Sequence, residues 1–354
     1  MVPYIIVLFT VILLAFVAQR SRSKALYNLY ISLIFLTLVL FSGLRNRSVG
    51  TDTGMYVGRF LRLNSDIASL INNSSRIEIG YRFLELLAYK ISDNYISLLL
   101  FIAFVTLYFQ IRGIYRLSVD PLISIFILIT FGIYTYVFNG ARQAIAAAIY
   151  LYALYYLVKG NFKKYLLWIL LAFLFHKSVI IMIPMYYLFR KRFNFKLLSL
   201  IIIATVVIII FFSKILNFGV FINENYRAYQ NIEDQGGKSL TLAYVLLSVF
   251  FIAIRNRIKL KFIKAYDIYL NMFLIGTIIF LVVFFTGSYI EITRIAFYFI
   301  LSSIFIWPII FKSLKQNEIL LILVFFILVH VVYFYIFLSR MSNLEPYIFN
   351  SQFF

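Results

Sequence analysis

The feature that most constrains this chain is its succession of apolar runs separated by short, basic connections. A window of about 19 residues finds such runs at roughly 3–18, 26–43, 95–111, 121–138, 143–158 and 164–175, and again at roughly 178–189, 197–212, 240–254, 268–286, 295–311 and 318–338. Inside hydrocarbon every backbone N–H and C=O must be satisfied within its own segment, so runs of this kind fold as helices. The expected fold is an all-α polytopic membrane protein with about 12 transmembrane or re-entrant helices. It forms a single membrane domain over residues 1–354. The longest polar stretches, about 44–94 and 213–239, are read as outer loops. The opening "MVPYIIVLFTVILLAFVAQRSRSK" lacks a basic n-region and a small-residue cleavage site, so it reads as a retained first helix.

Composition agrees: 64% of the residues are hydrophobic and only 13% are charged. The absence of cysteine removes disulfides, thiolate metal sites and thiol nucleophiles. With only two histidines, His176 and His330, a histidine-rich metal centre is excluded too. No metal or cofactor is expected.

Lysine and arginine in the loops set the orientation. One set of alternate loops contains Arg20, Arg22, Lys24; Arg112, Arg116; Lys159, Lys163, Lys164; Arg190, Lys191, Arg192, Lys196; Arg255, Arg257, Lys259, Lys261, Lys264; and Lys312, Lys315. Only Asp120, Asp267 and Glu318 oppose them. This face reads as cytoplasmic, which puts both termini outside. The formal charge of +20 is then a topology signal and an attraction to membrane lipid, not a nucleic-acid footprint.

Arginines on the other face run against that bias. Arg45 and Arg47 lie in "GLRNRSVGTDTGMY", Arg142 in "VFNGARQAIAAAIY", and Arg294 stands three residues after Glu291. Each can be read as snorkelling to lipid phosphate or pairing with an acid. Several at the outer ends of different helices also suit a diphosphate, because the planar guanidinium fork binds its oxygens bidentately.

Around His176, "LLWILLAFLFHKSVIIMIPMYYLF" contains two apolar runs of about 12 residues, each reaching about 18 Å where a bilayer core needs about 30 Å. Either the helices extend into their polar flanks or His176 sits on a re-entrant hairpin. It reads either as a packing residue or, at the outward tip beside Lys177, as a general base. His330 stands mid-helix without a polar neighbour and reads as packing. The segment "RIEIGYRFLELLAYKIS" sets Ile79, Phe83, Leu86, Leu87 and Ile91 at helical spacing, with Glu78, Arg82 and Glu85 on another face. It reads as an amphipathic helix over about 77–92 lying on the outer interface. The later loop carries Tyr226, Arg227, Tyr229, Glu233 and Asp234, a mixture that suits either sugar recognition or an ordinary wet loop.

On these residues the chain resembles the EpsG family, within the broader class of Wzy-type polysaccharide polymerases. The matching pieces are "LRNRSVGTDTGMY", "IEIGYRFL", "NGARQAIAAAIYLYALYYLVKGNFKKYLLWILLAFLFHKS", "EITRIAFYF" and the terminal "EPYIF". They run in order through nearly the whole chain, and the first and third are the most specific. The resemblance implies a GT-C-type bundle with an outward-facing cavity in the bacterial cytoplasmic (inner) membrane. It also implies transfer of a growing glycan from undecaprenyl diphosphate onto the next lipid-linked oligosaccharide repeat unit, in O-antigen, capsule or exopolysaccharide synthesis, with a chain-length regulator as a possible partner. Many lipid-phosphate-sugar transferases of this fold carry an acidic pair in the first outer loop. Here Asp52 stands without an adjacent acid.

Such a reaction needs positive charge for the diphosphate and a base for one hydroxyl proton. The candidates are Arg142, Arg294, Arg45 and Arg47 for the diphosphate and His176, Asp52 or Glu78 for the base. Tyr56, Tyr81, Gln143, Tyr226 and Arg227 are the candidates for glycan contact. Rival readings are a lipid-linked oligosaccharide flippase, which would be expected to have two similar halves and a polar central path, and an O-antigen ligase.

Overall fold

The structure, a computed structural model, describes residues 1–63, 77–222, 238–287, 290–341 and 343–350. All regular structure among these residues is helical, apart from one isolated β-bridge between Arg45 and Phe349. Nine helical stretches among the described residues are long and apolar enough to cross a membrane. The protein is an all-helical, multi-pass membrane protein.

The chain divides into two compact units: Met1–Ile183 with Lys315–Phe354, and Pro184–Leu314. The first contains α1 (Val2–Arg20), α2 (Lys24–Gly43), α3 (Thr53–Phe60), α4 (Ile79–Ile91), α5 (Tyr95–Leu117), α6 (Pro121–Thr130), α7 (Ala141–Lys159) and α8 (Phe162–Phe173). The chain leaves this unit through a 3-10 turn, Lys177–Ile181, and α9 (Met182–Phe189). The second unit holds α10 (Phe195–Ile222), α11 (Lys238–Ile254), α12 (Leu260–Thr286), α13 (Ile290–Ile300) and α14 (Ser303–Ser313). The last helix, α15 (Gln316–Ile336), returns to the first unit. Helix α10 reaches Ile222, well past the loop start at 213 expected from hydropathy.

In the first unit α5 and α7 pack against each other, with α2 and α4 on α5 and α8 on α7. Small residues make the central contact possible. Ala144, Ala146, Ala147, Ala148 and Ala153 of α7 are all buried, and a Cβ on Gly113 of α5 would stand 3.3 Å from the Tyr152 backbone. Helices in lipid associate by such close packing, because hydrocarbon offers no hydrophobic drive between them.

Tyrosine hydroxyls tie distant segments together. Tyr4 donates to the carbonyl of Leu344 at 2.8 Å, Tyr134 to Leu38 at 2.7 Å, Tyr165 to Met182 at 2.8 Å, and Tyr347 to Phe41. A buried hydroxyl left unsatisfied costs about 1–3 kcal/mol, so each bond favours one mutual placement of its two segments. In the second unit, Arg255 forks onto Asp267 at 2.7 and 2.9 Å, and Asp267 also accepts the Phe193 N–H at 3.2 Å.

The runs flanking His176 form short helices, as their length predicts. Helix α8 has 12 residues, about 18 Å, and α9 has 8, about 12 Å. Helix α4 is amphipathic, with its stripes placed in an informative way. Ile79, Phe83 and Ile91 are more than half exposed and Leu87 is exposed, whereas Tyr81, Leu84, Glu85 and Ala88 face inward. The apolar stripe looks out of the protein and the carboxylate is buried within it.

Candidate active site

Three segments far apart in sequence meet at one end of the first unit. Helix α7 begins at Ala141, directly after Gly140, so Arg142 lies in its first turn. Helix α4 begins after Glu78, whose extended backbone makes it the N-cap residue without its side chain capping the helix. That carboxylate is directed elsewhere. Its Oε2 accepts from Arg142 Nη1 at 2.6 Å, and its Oε1 accepts the backbone N–H of Lys177 at 3.3 Å. Gly80 permits the approach: its N–H donates to the Leu174 carbonyl at 2.7 Å, and a Cβ there would stand 2.7 Å from the same oxygen. The need for a bare α-carbon at this crossing accounts for the glycine in "IEIGYRFL".

His176 is at the same junction, as the N-cap of the Lys177–Ile181 turn. Its Nδ1 lies 2.6 Å from Ser178 Oγ and 3.4 Å from the Ser178 backbone nitrogen. The backbone N–H can only donate, so Nδ1 is the acceptor there, and the Ser178 hydroxyl can donate to the same nitrogen. In that tautomer Nδ1 carries the lone pair and Nε2 the hydrogen. His176 is half-buried and Lys177 is exposed.

Behind the Glu78–Arg142 pair lies a buried polar seam. Arg142 donates a hydrogen bond to the Tyr56 hydroxyl. The Tyr56 and Tyr81 rings are 5.6 Å apart, and both residues are buried. The Tyr81 hydroxyl and Arg142 Nε are buried without a hydrogen-bond partner among the described residues. Burial pushes the Tyr81 hydroxyl well above its ordinary range. One turn further along α4, Glu85 is fully buried and accepts from Arg59 Nε at 3.1 Å through both oxygens. Burial raises its pKa from 4.5 to about 7 despite that neighbouring cation. Sequence reasoning missed the Arg59–Glu85 pair. The available signal was Glu85 at i+7 from Glu78, on the same face of α4.

The arginines of the first loop are not equivalent. Arg47 is exposed. Arg45 is 1% exposed and fully enclosed. It donates to Thr53 Oγ1 from Nε at 3.4 Å and Nη2 at 3.2 Å, and to the Ser42 carbonyl from Nη1. Its guanidinium also stacks 4.1 Å from the Phe138 ring centroid. The terminal segment completes the enclosure: Asn46 N–H donates to Ile348, Gly50 N–H to Asn343, and Asn350 N–H to Leu44. Burial depresses the Arg45 pKa to about 10, with Tyr347 the largest opposing influence. In this geometry the guanidinium of Arg45, one of the expected diphosphate ligands, is engaged in holding the loop. Gly50 supports the same fold at φ +94°, where a Cβ would stand 2.6 Å from the Phe138 carbonyl.

The remaining candidates are placed as follows. Asp52 is the N-cap residue of α3 and accepts from Thr51 Oγ1 at 3.0 Å. Gln143, 4% exposed, accepts from the Tyr136 hydroxyl at 2.7 Å. Arg294 belongs to the second unit and is half-buried. Tyr226 and Arg227 lie outside the described residues. His330 donates from Nδ1 to the Phe326 carbonyl at 2.9 Å and packs among Phe126, Phe131 and Phe326, as its mid-helix position predicts.

The junction therefore offers a guanidinium oriented by a carboxylate, an imidazole oriented by a serine, and a buried tyrosine pair. That inventory suits an anionic leaving group and a proton acceptor. No curated protein and no solved structure matches the chain significantly. The EpsG family model matches residues 28–352, nearly the whole length. The chain thus belongs to the EpsG family, which is associated with Wzy-type polymerases of polysaccharide biosynthesis.

Proposed function

We propose that this protein is a polysaccharide polymerase that extends a glycan held on undecaprenyl diphosphate, at the outer face of the bacterial cytoplasmic membrane. The observation that carries this reading is the meeting of Arg142, Glu78 and His176 from three separate segments at one end of the helix bundle. In the proposed step a hydroxyl of the next lipid-linked repeat unit attacks the anomeric carbon of the donor. The bond from that carbon to the diphosphate oxygen breaks, and undecaprenyl diphosphate departs with the electron pair. The imidazole of His176 accepts the hydroxyl proton as the new glycosidic bond forms.

Leaving-group charge is the main electrostatic demand, and a preorganised cation meets it best in a site shielded from water. Glu78 and the Tyr56 hydroxyl hold Arg142 in place, and its remaining Nη N–H groups are the proposed donors to phosphate oxygens. Both oxygens of Glu78 already accept hydrogen bonds, so His176 is the better base of the two. Diphosphate leaves without protonation, so no general acid is required and the chemistry has no need of a metal. Tyr56 and Tyr81 are candidates for contact with the sugar. Arg45 is assigned to the scaffold.

Purified protein incubated with a synthetic diphosphate-linked repeat unit should build a ladder of products differing by one repeat. Transfer of the substrate across vesicle membranes without a ladder would favour the flippase reading. Transfer of a preformed chain to a non-repeat acceptor alone would favour a ligase.

A further inference from the structure

The far end of α7, remote from Arg142, carries a second cationic site. Fourteen residues separate Arg142 from Tyr156, about 21 Å along the helix. Here α5 and α7 border an open cavity of about 450 Å³ lined by Tyr108, Arg112, Tyr115, Arg116 and Tyr152. Arg116 is held in a fixed pose. Its Nη1 donates to the Tyr152 hydroxyl at 2.6 Å and lies 3.4 Å from that of Tyr156, while its guanidinium carbon sits 3.9 Å from the Tyr155 ring centroid. No carboxylate pairs with Arg112 or Arg116 among the described residues, and Nε and Nη2 of Arg116 make no hydrogen bond among them. Both arginines are exposed.

The surface leading into this cavity is graded. Phe104, Tyr108 and Arg112 stand four residues apart, on one face of α5. Phe104 is 51% exposed and Tyr108 is 43% exposed, with their rings stacked at 6.5 Å. A strip that passes from bare phenylalanine through tyrosine to arginine matches the profile of a phospholipid, from acyl chain through glycerol to phosphate. Basic pockets between membrane helices are suited to anionic headgroups, and tyrosine hydroxyls supply further donors.

We propose that this cavity binds the phosphate headgroup of an anionic membrane lipid, with Arg116 and Arg112 on the phosphate and the acyl chain along Tyr108 and Phe104. The site is distinct from the proposed catalytic junction and does not depend on the polymerase reading. Free phosphate shares the headgroup chemistry but gains nothing from the apolar strip.

The test is native mass spectrometry of purified protein with phosphatidylglycerol, phosphatidylcholine or inorganic phosphate as the probe. Wild type should retain one phosphatidylglycerol in preference to phosphatidylcholine. The double variant Arg112→Gln/Arg116→Gln should reduce that retention by at least about fivefold, as expected from the loss of two charge-assisted contacts, with an unchanged melting temperature. Phe104→Ser should weaken phosphatidylglycerol and leave the arginines intact, a check independent of charge. Equal retention by wild type and the double variant would overturn the proposal. So would competition by inorganic phosphate at the same concentration as lipid, because the apolar strip would then contribute nothing.

Discussion

Arg142 and Glu78 are 64 residues apart in the chain and 2.6 Å apart in space. Their contact joins the first turn of α7 to the start of α4, and the Lys177 N–H on the same carboxylate brings in the segment that carries His176. A charge that has no acid nearby in its own sequence thereby acquires a fixed partner and a fixed orientation.

Replacement of Arg142 by lysine tests whether that orientation matters. Lysine keeps the charge and can still reach Glu78, but it loses the planar fork. Arg142→Lys should insert and melt like wild type while chain extension falls about 100- to 1,000-fold, the range expected for one lost charge-stabilising donor. Polymer near the wild-type level, measured as ladder intensity per mole of protein, would remove Arg142 from the diphosphate site.

Arg45 should behave in the opposite manner. Its guanidinium is enclosed by Thr53, Ser42, Phe138 and the terminal segment. Arg45→Ala strands those acceptors and should destabilise the fold by about 3 kcal/mol or more, seen as reduced protein in the membrane and a lower melting temperature. A stable Arg45→Ala protein that fails only in polymerisation would restore Arg45 as a substrate ligand.

Glu85 provides a pH signature. Its folded pKa is raised from 4.5 to about 7 by burial, so the folded protein binds this proton more tightly than the unfolded chain. Its contribution to stability is therefore greatest below about 4.5 and declines as pH rises through about 7. Glu85→Gln cannot titrate, so its melting temperature should fall less across that interval than that of wild type. Parallel melting curves for the two proteins would show that Glu85 does not titrate there.

Helix α8 allows orientation to be read directly. The chain has no cysteine, and exposed lysines stand at its two ends, Lys163 and Lys177. Lys177→Cys should react with a membrane-impermeant maleimide added to intact cells, and Lys163→Cys only after permeabilisation. The reverse pattern would place the His176 end in the cytoplasm, where the proposed outer-face chemistry is impossible.

Much of this architecture is legible in the sequence because it rests on local pattern. Apolar length marks the spans, the runs flanking His176 are visibly too short, and the heptad-like spacing of Ile79, Phe83, Leu86 and Leu87 marks α4. The candidate site is only partly legible, because it rests on long-range pairing. Nothing in "NGARQ" indicates that Arg142 meets Glu78, and Arg45 and Arg47 are indistinguishable until the 343–350 segment encloses one of them. The direction faced by α4 is hidden for a related reason. In a membrane an apolar stripe turns toward lipid as readily as toward a core, so the polar face carrying Glu85 can be the buried one.

The rate of chain extension by purified His176→Gln protein tests the proposed chemistry most directly. Glutamine retains hydrogen bonding at this position but cannot accept a proton, and a positioned general base contributes typically about 10²–10⁴-fold. The predicted result is that His176→Gln binds the diphosphate-linked repeat unit with wild-type affinity, melts normally, and extends chains at least about 100-fold more slowly. Extension at the wild-type rate by His176→Gln, with Glu78→Gln or Asp52→Asn inactive, would contradict it and move the base to that carboxylate.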